Sequence, residues 1–290
     1  MPPLRFDVLD VFTDRPYSGN PLAVVHGAND LTTAQMQAIA AEFALSETAF
    51  PLPPTVAGAD YRLRIFTPLR ELPYAGHPSV GAAWLLARDG LIGPGDVVQE
   101  CGAGLLRVRV DAVGALVDGG PPTVGPDLDG VELAAAVGLK PEDVDPDVPA
   151  GVAGAGVSFA FLPVRPDAVA RAELDAAAVI AATPGLTGLA VVAFDREAWK
   201  AHLRMFGPAV GVPEDPATGS AAVALGVFLA ARGLLGAEGQ SGFLVEQGIE
   251  MGRPSELGVL VQSESGRAVG TSVRGSVVAV SRGELVALPG

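Results

Sequence analysis

The chain contains an internal repeat that constrains its fold more than any other feature. Four apolar or proline positions in the first half recur 140 positions later in the second half. The pairs are Phe66 and Phe206, Pro68 and Pro208, Leu72 and Val212, and Pro73 and Pro213. Each copy runs into a polar turn and then into an apolar helical segment. Because the offset is close to half of the 290 residues, the sequence predicts two copies of one module.

The apolar segments that follow the two turns, residues 81–87 and 221–231, have almost no polar side. A helix that is apolar all round must be enclosed by the protein. Many short strands are predicted around each segment, so a wrapped antiparallel sheet is the expected enclosure. This order of elements favours an α+β fold over alternating βαβ units. Residues 121–130, rich in proline, glycine and aspartate, are the candidate linker.

The charge of the chain excludes several classes of partner. A net charge of −14 and a pI near 4.5 oppose binding to nucleic acid and to anionic membranes. An anionic substrate must therefore be held by local donors. The single cysteine, Cys101, allows no intrachain disulfide and fits a reducing compartment. The N-terminus shows no apolar run of signal-peptide length, and the uncharged stretch 176–194 is broken by a turn signal, so we expect a cytoplasmic protein.

The polar turns before the two apolar segments are candidate anion sites. Ser79 and Ser220 are predicted to cap the helices, and the first N–H groups of a helix have no partner within it. Gly76 and Gly219 would let a ligand approach the backbone closely. Two such helix starts facing each other would hold a carboxylate.

Three candidate acid–base groups lie near these turns in the sequence: His77, Asp215 and Glu47. There is no phosphate loop, no dinucleotide fingerprint and no nucleophile elbow. The three histidines lack metal-ligand spacing, so no metal site is predicted.

A series of ordered motifs carries a resemblance to a known family. The segments are 19–21 (GNP), 46–48 (SET), 66–68 (FTP), 71–78 (ELPYAGHP), 214–221 (EDPATGSA), 246–248 (EQG) and 251–255 (MGRPS). Together they resemble the PhzF-like family, the phenazine-biosynthesis-type isomerases of the diaminopimelate epimerase superfamily. The resemblance covers nearly the whole chain.

The resemblance implies a diaminopimelate epimerase-like α+β fold with two pseudo-symmetric lobes. Each lobe would be a β-barrel-like sheet wrapped around a central helix, with the active site in the cleft between the lobes. The expected N-terminal lobe is residues 1–120 plus about 277–290, and the C-terminal lobe is residues 121–276. A homodimer is also implied, as is the absence of any metal or organic cofactor.

The resemblance also implies roles for individual residues. Glu47 would be the general acid/base that moves a proton on the substrate. The residues that line the cleft and assist would be His77, Asp215 and Ser220. The residues that hold the substrate would be Asn20, Ser46, Gly76, Thr218 and Gly219.

The implied reaction is a cofactor-independent proton shift on a small carboxylated molecule, with a dihydro-hydroxyanthranilate-like compound as one candidate substrate. One carboxylate can serve as base and then as acid. The two-thiol mechanism of the superfamily's racemases is excluded, because Cys101 lies in neither turn. Two alternatives stay open: an epimerase that pairs Glu47 with Asp215 or His77, and a binding protein that has lost turnover.

Overall fold

The computed structural model describes residues 3–290, which form two compact units. The first unit contains residues 3–118 and 274–290, and the second contains Gly119–Val273. Both units mix helices and strands, as expected for the α+β class. No helix within residues 3–290 combines the length and the apolar character that crossing a membrane requires.

The first unit is a closed sheet around one helix. Its strands are β1 (Leu4–Val11), β2 (Asn20–Val25), β3 (Glu47–Leu52), β4 (Tyr61–Phe66), β5 (Glu71–Leu72), β6 (Gly95–Cys101), β7 (Gly104–Val110), β8 (Gly114–Asp118) and the second half of β17 (Arg267–Leu285). Its helices are α1 (Thr33–Phe43) and α2 (Gly76–Arg88). Neighbouring strands follow the order β1-β2-β3-β4-β6-β7-β8-β17, and β17 pairs with β1 again, so the sheet closes into a barrel.

The barrel of the first unit encloses α2, while α1 covers its outside. Ten of the thirteen residues of α2 are buried, and the helix contacts β1, β2, β3, β4, β7 and β8. Helix α1 begins at a capping box in which Thr32 accepts the Gln35 N–H and the Gln35 side chain accepts the Thr32 N–H. It contacts β3 and β4, and its buried residues Met36 and Ile39 belong to the hydrophobic cluster beneath it. The sequence therefore places one helix inside the sheet and a second, amphipathic helix outside it.

The second unit repeats this arrangement with more helices on its outer face. Its strands are β9 (Pro122–Asp127), β10 (Gly151–Ala155), β11 (Ser158–Pro163), β12 (Leu189–Asp195), β13 (Lys200–Gly207), β14 (Val212–Asp215), β15 (Gly239–Gln247), β16 (Ser255–Glu264) and the first part of β17. Its helices are α3 (Gly130–Ala135), α4 (Pro166–Val169), α5 (Ala176–Ala182) and α6 (Gly219–Ala231). Helix α6 is almost entirely buried and contacts β9, β10, β11 and β16.

The strand pairings of the two units match in order and sense. In the first unit β1–β2 is antiparallel, β2–β3 parallel, β3–β4 antiparallel, β4–β6 parallel and β6–β7 antiparallel. In the second unit β10–β11, β11–β12, β12–β13, β13–β15 and β15–β16 show the same five senses in the same order. The repeated topology makes Phe66 and Phe206 structural counterparts. Leu72 pairs with Ile65, and its counterpart by strand pairing is Asp215, which pairs with Met205, and not Val212.

Two sequence-based expectations about local structure were wrong. The candidate linker, residues 121–130, contains strand β9, which pairs with β10 and belongs to the second sheet. The central helices begin at Gly76 and Gly219, before the apolar segments at 81 and 221. The polar turns thus contribute the first turns of the helices themselves, because backbone hydrogen bonding continues through the polar residues.

Candidate active site

Glu47 lies at the start of a strand, against the first turn of the enclosed helix. It is the first residue of β3 and pairs in parallel register with Leu22 of β2. Its side chain is only 14% exposed, and its Oε2 atom lies 3.3 Å from Nδ1 of His77. The two residues are 30 positions apart in the sequence, so the fold of the first unit brings this carboxyl group and this imidazole together.

His77 is a neutral, buried imidazole. It is the second residue of α2, and its side chain is 4% exposed. Burial lowers the pKa of His77 to about 3, and a smaller effect, a hydrogen bond to the backbone of Pro21, acts in the opposite direction. Its Nε2 atom is buried and has no hydrogen-bond partner within residues 3–290. The ring therefore presents Nδ1 to the Glu47 carboxyl group and has a second polar atom, Nε2, that is unused.

Asn20 and Ser46 adjoin Glu47 at the same edge of the sheet. Asn20 is the fully buried first residue of β2, and β2 runs parallel to β3, so both strands begin at that edge. The Ser46 hydroxyl donates to Asn20 Oδ1 at 2.8 Å. The hydrogen bond ties the two strand starts together next to the carboxyl group.

The start of α2 differs from the sequence-based expectation at Ser79. Helix α2 begins at Gly76, and the residue before it, Ala75, provides no side-chain cap. Ser79 does not cap the helix, because it lies inside the first turn and its hydroxyl donates back to the Ala75 carbonyl at 2.9 Å. The N–H groups of Gly76 and His77 have no hydrogen-bond partner within the helix and are the candidate donors to a ligand.

A buried hydrogen-bond chain supports this first turn. The Gln99 amide donates to Ser79 Oγ at 2.9 Å and accepts from the Tyr61 hydroxyl at 2.9 Å. Burial raises the pKa of Tyr61 far above its ordinary value, so the hydroxyl stays protonated as a donor. Sequence reasoning missed both residues. Gln99 lies in a strand that also contains Asp96 and Glu100, so no local pattern singled it out.

The predicted residues of the second unit occupy one turn. Asp215 ends β14, Thr218 is the residue before α6, and Gly219 and Ser220 are its first two residues. Ser220 is half-buried and, like Ser79, lies inside the helix rather than at its cap. The Thr218 hydroxyl donates to Asp215 Oδ2 at 2.6 Å. The second unit therefore holds a carboxylate and a helix start in one hydrogen-bonded turn.

The N–H of Thr218 is not a free donor. It donates to Oε1 of Gln247 at 3.0 Å, and Gln247 is fully buried at the end of β15. The candidate donors to a ligand at the start of α6 are therefore the next N–H groups, those of Gly219 and Ser220. Gln247 belongs to the motif at residues 246–248. Its partners Thr218 and Asp215 lie 29 and 32 positions earlier in the sequence.

The repeated topology shows that the acidic residue occurs in one unit only. Glu47 precedes Thr48, which pairs with Phe66, whereas Gly188 precedes Leu189, which pairs with Phe206. Gly188 is thus the counterpart of Glu47. A Cβ atom there would lie 2.4 Å from the Phe206 carbonyl oxygen, so the second sheet has no room for a side chain at this position.

Elsewhere in the first unit, a cluster of charged residues gathers at the end of α2. Side-chain atoms of Asp7, His26 and Asp89 lie within 4.8 Å of one another. Arg5 is 2.7 Å from Asp89, and Arg88 is 3.4 Å from Asp7, so guanidinium groups already neutralise both carboxylates. Burial lowers the pKa of His26, which makes the ring neutral at pH 7. The cluster is an ion-pair network that connects β1, β2 and α2.

The comparison with known proteins gives the family. The family model described as phenazine biosynthesis-like protein matches residues 9–283. An uncharacterized isomerase of Mesorhizobium japonicum is 38% identical over 294 residues, covering 95% of this chain and 96% of that protein. The trans-2,3-dihydro-3-hydroxyanthranilate isomerase of Pseudomonas chlororaphis is 34% identical, covering 97% and 99%.

The solved structures agree with this assignment. The crystal structure of the Bacillus anthracis phenazine biosynthesis protein of the PhzF family has a TM-score of 0.90, with 27% identity and coverage of 99% and 100%. The fold is of the α+β class, with one buried helix against the sheet of each unit. The chain belongs to the phenazine biosynthesis-like (PhzF) family. The resemblance drawn from the ordered motifs is confirmed.

Proposed function

We propose that the protein is a cofactor-independent isomerase that shifts a proton on a small carboxylated substrate, with Glu47 as the only acid/base. The observation that carries this proposal is the contact between the nearly buried Glu47 carboxyl group and the neutral ring of His77. A carboxyl group in such surroundings can accept a proton from one carbon and return it to another. No outside reductant or oxidant is needed, because the electron pair shifts within the substrate and the Glu47 carboxyl group returns a proton to it.

Two features support one base rather than two. The counterpart of Glu47 is Gly188, where the Phe206 carbonyl leaves no room for a carboxylate. His77 lies 3.3 Å from Glu47, whereas the two bases of an epimerase must approach a stereocentre from opposite faces with the substrate between them. An epimerase that pairs Glu47 with His77 is therefore disfavoured.

We assign supporting roles to the remaining predicted residues of both units. His77 orients the Glu47 carboxyl group and offers Nε2 to the substrate, while Asn20, Ser46 and the Gly76 N–H bind substrate polar groups. In the second unit, Asp215 and Ser220 assist the proton shift. Substrate binding there involves Thr218, which orients Asp215, and the Gly219 N–H.

The substrate class follows from the relatives. The Pseudomonas chlororaphis relative is named for trans-2,3-dihydro-3-hydroxyanthranilate, and we propose this compound or a close cyclohexadiene carboxylate as the substrate. The family resemblance adds a homodimer, a cytoplasmic location and a reaction that needs neither metal nor organic cofactor. These three points stay predictions.

The reaction can be tested by NMR in D2O with trans-2,3-dihydro-3-hydroxyanthranilate. A single carboxyl group that carries the proton should return part of the substrate's own hydrogen to the product, because the shift competes with exchange into solvent. Retention of the substrate's hydrogen would exclude two separate bases, such as Glu47 with Asp215, because the second base delivers a proton taken from solvent. No turnover of this compound or of related cyclohexadiene carboxylates would leave binding without catalysis as the function.

A further inference from the structure

We propose that Gln247 is a positioning residue, which holds the Asp215 carboxylate and the first turn of α6 in the geometry that catalysis requires. The proposal deepens the function proposed above and rests on it. Gln247 lies in the same unit as the groups it holds, and its own side chain has no exposed surface.

The hydrogen bonds of the Gln247 amide go to one turn. Oε1 accepts the Thr218 N–H at 3.0 Å, while Nε2 donates to the Asp215 carbonyl at 2.7 Å and to Thr218 Oγ1 at 3.0 Å. The two backbone partners assign the orientation of the amide, because an N–H group can only donate and a carbonyl can only accept. The Gln247 amide therefore bonds both ends of the turn, the carbonyl of Asp215 and the N–H of Thr218.

The hydrogen bonds form a directed chain from the Gln247 amide through the Thr218 hydroxyl to the Asp215 carboxylate. The Thr218 hydroxyl carries one proton, and it accepts from Gln247 Nε2, so its proton is available for Asp215 Oδ2 at 2.6 Å. A short hydroxyl–carboxylate hydrogen bond of this kind is among the stronger ones. Gln247 thus sets the rotamer of Thr218, and Thr218 in turn sets the orientation of the carboxylate.

The repeated topology shows that the fold itself does not need this amide. Tyr61 pairs with Gln99 on β6, and its counterpart Ala201 pairs with Val245 on β15. Two residues further along these strands, the counterpart of Gln247 is Cys101. The residue before the helix is Ala75 in the first unit and Thr218 in the second. The first unit therefore forms the same turn with neither the glutamine nor the threonine.

Close packing of the backbone at Gly248 restricts the position of the neighbouring Gln247 side chain. Gly248 follows with φ near +74°, and a Cβ atom there would lie 2.4 Å from the Arg253 carbonyl oxygen and 2.6 Å from that of Pro216. The strand end is thus pressed against the turn between Asp215 and Thr218. A buried amide is unfavourable unless its hydrogen bonds are made, and here they are made to the functional turn.

The test compares Gln247→Met, which matches the length of glutamine without its polar atoms, with Gln240→Met on the exposed part of the same strand. With trans-2,3-dihydro-3-hydroxyanthranilate as substrate, Gln247→Met should lower kcat per folded molecule by about 10- to 100-fold, as expected when a group that assists the reaction is misplaced. Gln240→Met should keep the wild-type kcat. A purely structural role would reduce the folded fraction, measured by circular dichroism, and leave kcat per folded molecule unchanged, which would overturn the proposal.

A double variant tests the directed chain. Thr218→Val removes the hydroxyl that links Gln247 to the Asp215 carboxylate, so adding Gln247→Met to it should lower kcat by a smaller factor than Gln247→Met does alone. Losses that multiply in the double variant would show that the two residues act separately, against the proposal.

Crystal structures of the ligand-free wild type and of Gln247→Met provide a readout that does not depend on activity. We expect the Asp215 carboxylate to separate from Thr218 and the turn to move in the variant. An Asp215–Thr218 turn that stays within about 0.5 Å of its wild-type position would overturn the proposal. If the wild type turns over no substrate, the proposed isomerase function fails, and this comparison still decides whether Gln247 holds the turn.

Discussion

At the scale of single residues, the proposed chemistry of the first unit depends on the pairing of one carboxyl group with one neutral ring. Burial disfavours the charged form of the imidazole, so at neutral pH the 3.3 Å contact of His77 with Glu47 is not an ion pair. A protonated histidine would hold the carboxylate in a strong ion pair and oppose its protonation. A neutral ring leaves the carboxyl group able to gain and lose a proton, as an acid/base must.

The first prediction concerns Glu47. Glu47→Gln keeps the shape of the side chain but removes the transferable proton, so kcat should fall by at least about 100-fold. Binding of anthranilate, an unreactive aromatic carboxylate, should be largely retained in isothermal titration calorimetry. The exposed Glu197→Gln serves as the control for loss of one negative charge. Wild-type kcat in the Glu47 variant would refute the mechanism and leave the family assignment intact.

The second prediction concerns the pH dependence of stability through His77. Its pKa is about 3 in the folded protein and 6.5 when unperturbed, so between these values the unfolded chain binds a proton that the folded chain does not. This difference makes the free energy of unfolding fall as the pH falls from 6.5 towards 3, by about 1.4 kcal/mol per pH unit. His77→Gln lacks the ionisable ring, so its stability should fall less steeply over this range.

Urea denaturation of the wild type and of His77→Gln between about pH 4 and 6.5 measures this slope. The difference between the two proteins should correspond to about one proton taken up on unfolding. Equal slopes would mean that the folded protein also protonates this ring near its unperturbed pKa.

At the scale of elements, the two units use the same framework of strands for different purposes. The edge where β2 and β3 begin carries Asn20 and Glu47, while the corresponding position in front of β12 is Gly188. The helix starts also differ, because Ala75 precedes α2 and Thr218 precedes α6. In the first unit the supporting amide, Gln99, bonds a serine inside the helix, whereas in the second unit Gln247 bonds the turn outside it.

The third prediction concerns the space at Gly188. A Cβ atom would lie 2.4 Å from the Phe206 carbonyl, so Gly188→Ala must displace β12 from β13 and should destabilise the protein by about 1–3 kcal/mol. Gly270→Ala is the matched control, since it also lies in a strand and an added Cβ atom there would meet no heavy atom within 4 Å. Chemical denaturation of both variants measures the difference. Equal stabilities would show that the second sheet can accept a side chain where the first carries Glu47.

At the scale of the whole molecule, the charge of the protein opposes the charge of its proposed ligand. A net charge of −14 repels a carboxylate at long range, while the N–H groups of the helix starts attract it only at short range. Specific binding must therefore overcome a repulsion that salt can screen.

The fourth prediction follows from this opposition. The association rate constant of anthranilate should rise with ionic strength, by up to about tenfold between roughly 10 and 150 mM salt. Stopped-flow fluorescence measures it, with a neutral amide analogue of anthranilate as the control that should show little change. A rate that falls with salt would mean that a local positive field dominates the approach of the ligand.

The sequence by itself determined the architecture and the family, because both are recorded in local patterns. The recurrence of Phe66 as Phe206 and the two apolar helical segments predicted two copies of an α+β module. The matching strand order and the family model confirm the fold and the family. Periodicity and ordered motifs persist along the chain whatever the tertiary contacts are.

Only the tertiary structure decided how the candidate residues are held. The contact of Glu47 with His77, the pairing of Ser79 with Gln99 and the bonds of Gln247 to the Asp215–Thr218 turn join residues 20 to 32 positions apart. Ser79 and Ser220 looked like helix caps, yet both helices begin earlier. Such hydrogen bonds are short-ranged and directional, so they form only after the strands and helices have packed, and no local sequence pattern records which donor will meet which acceptor.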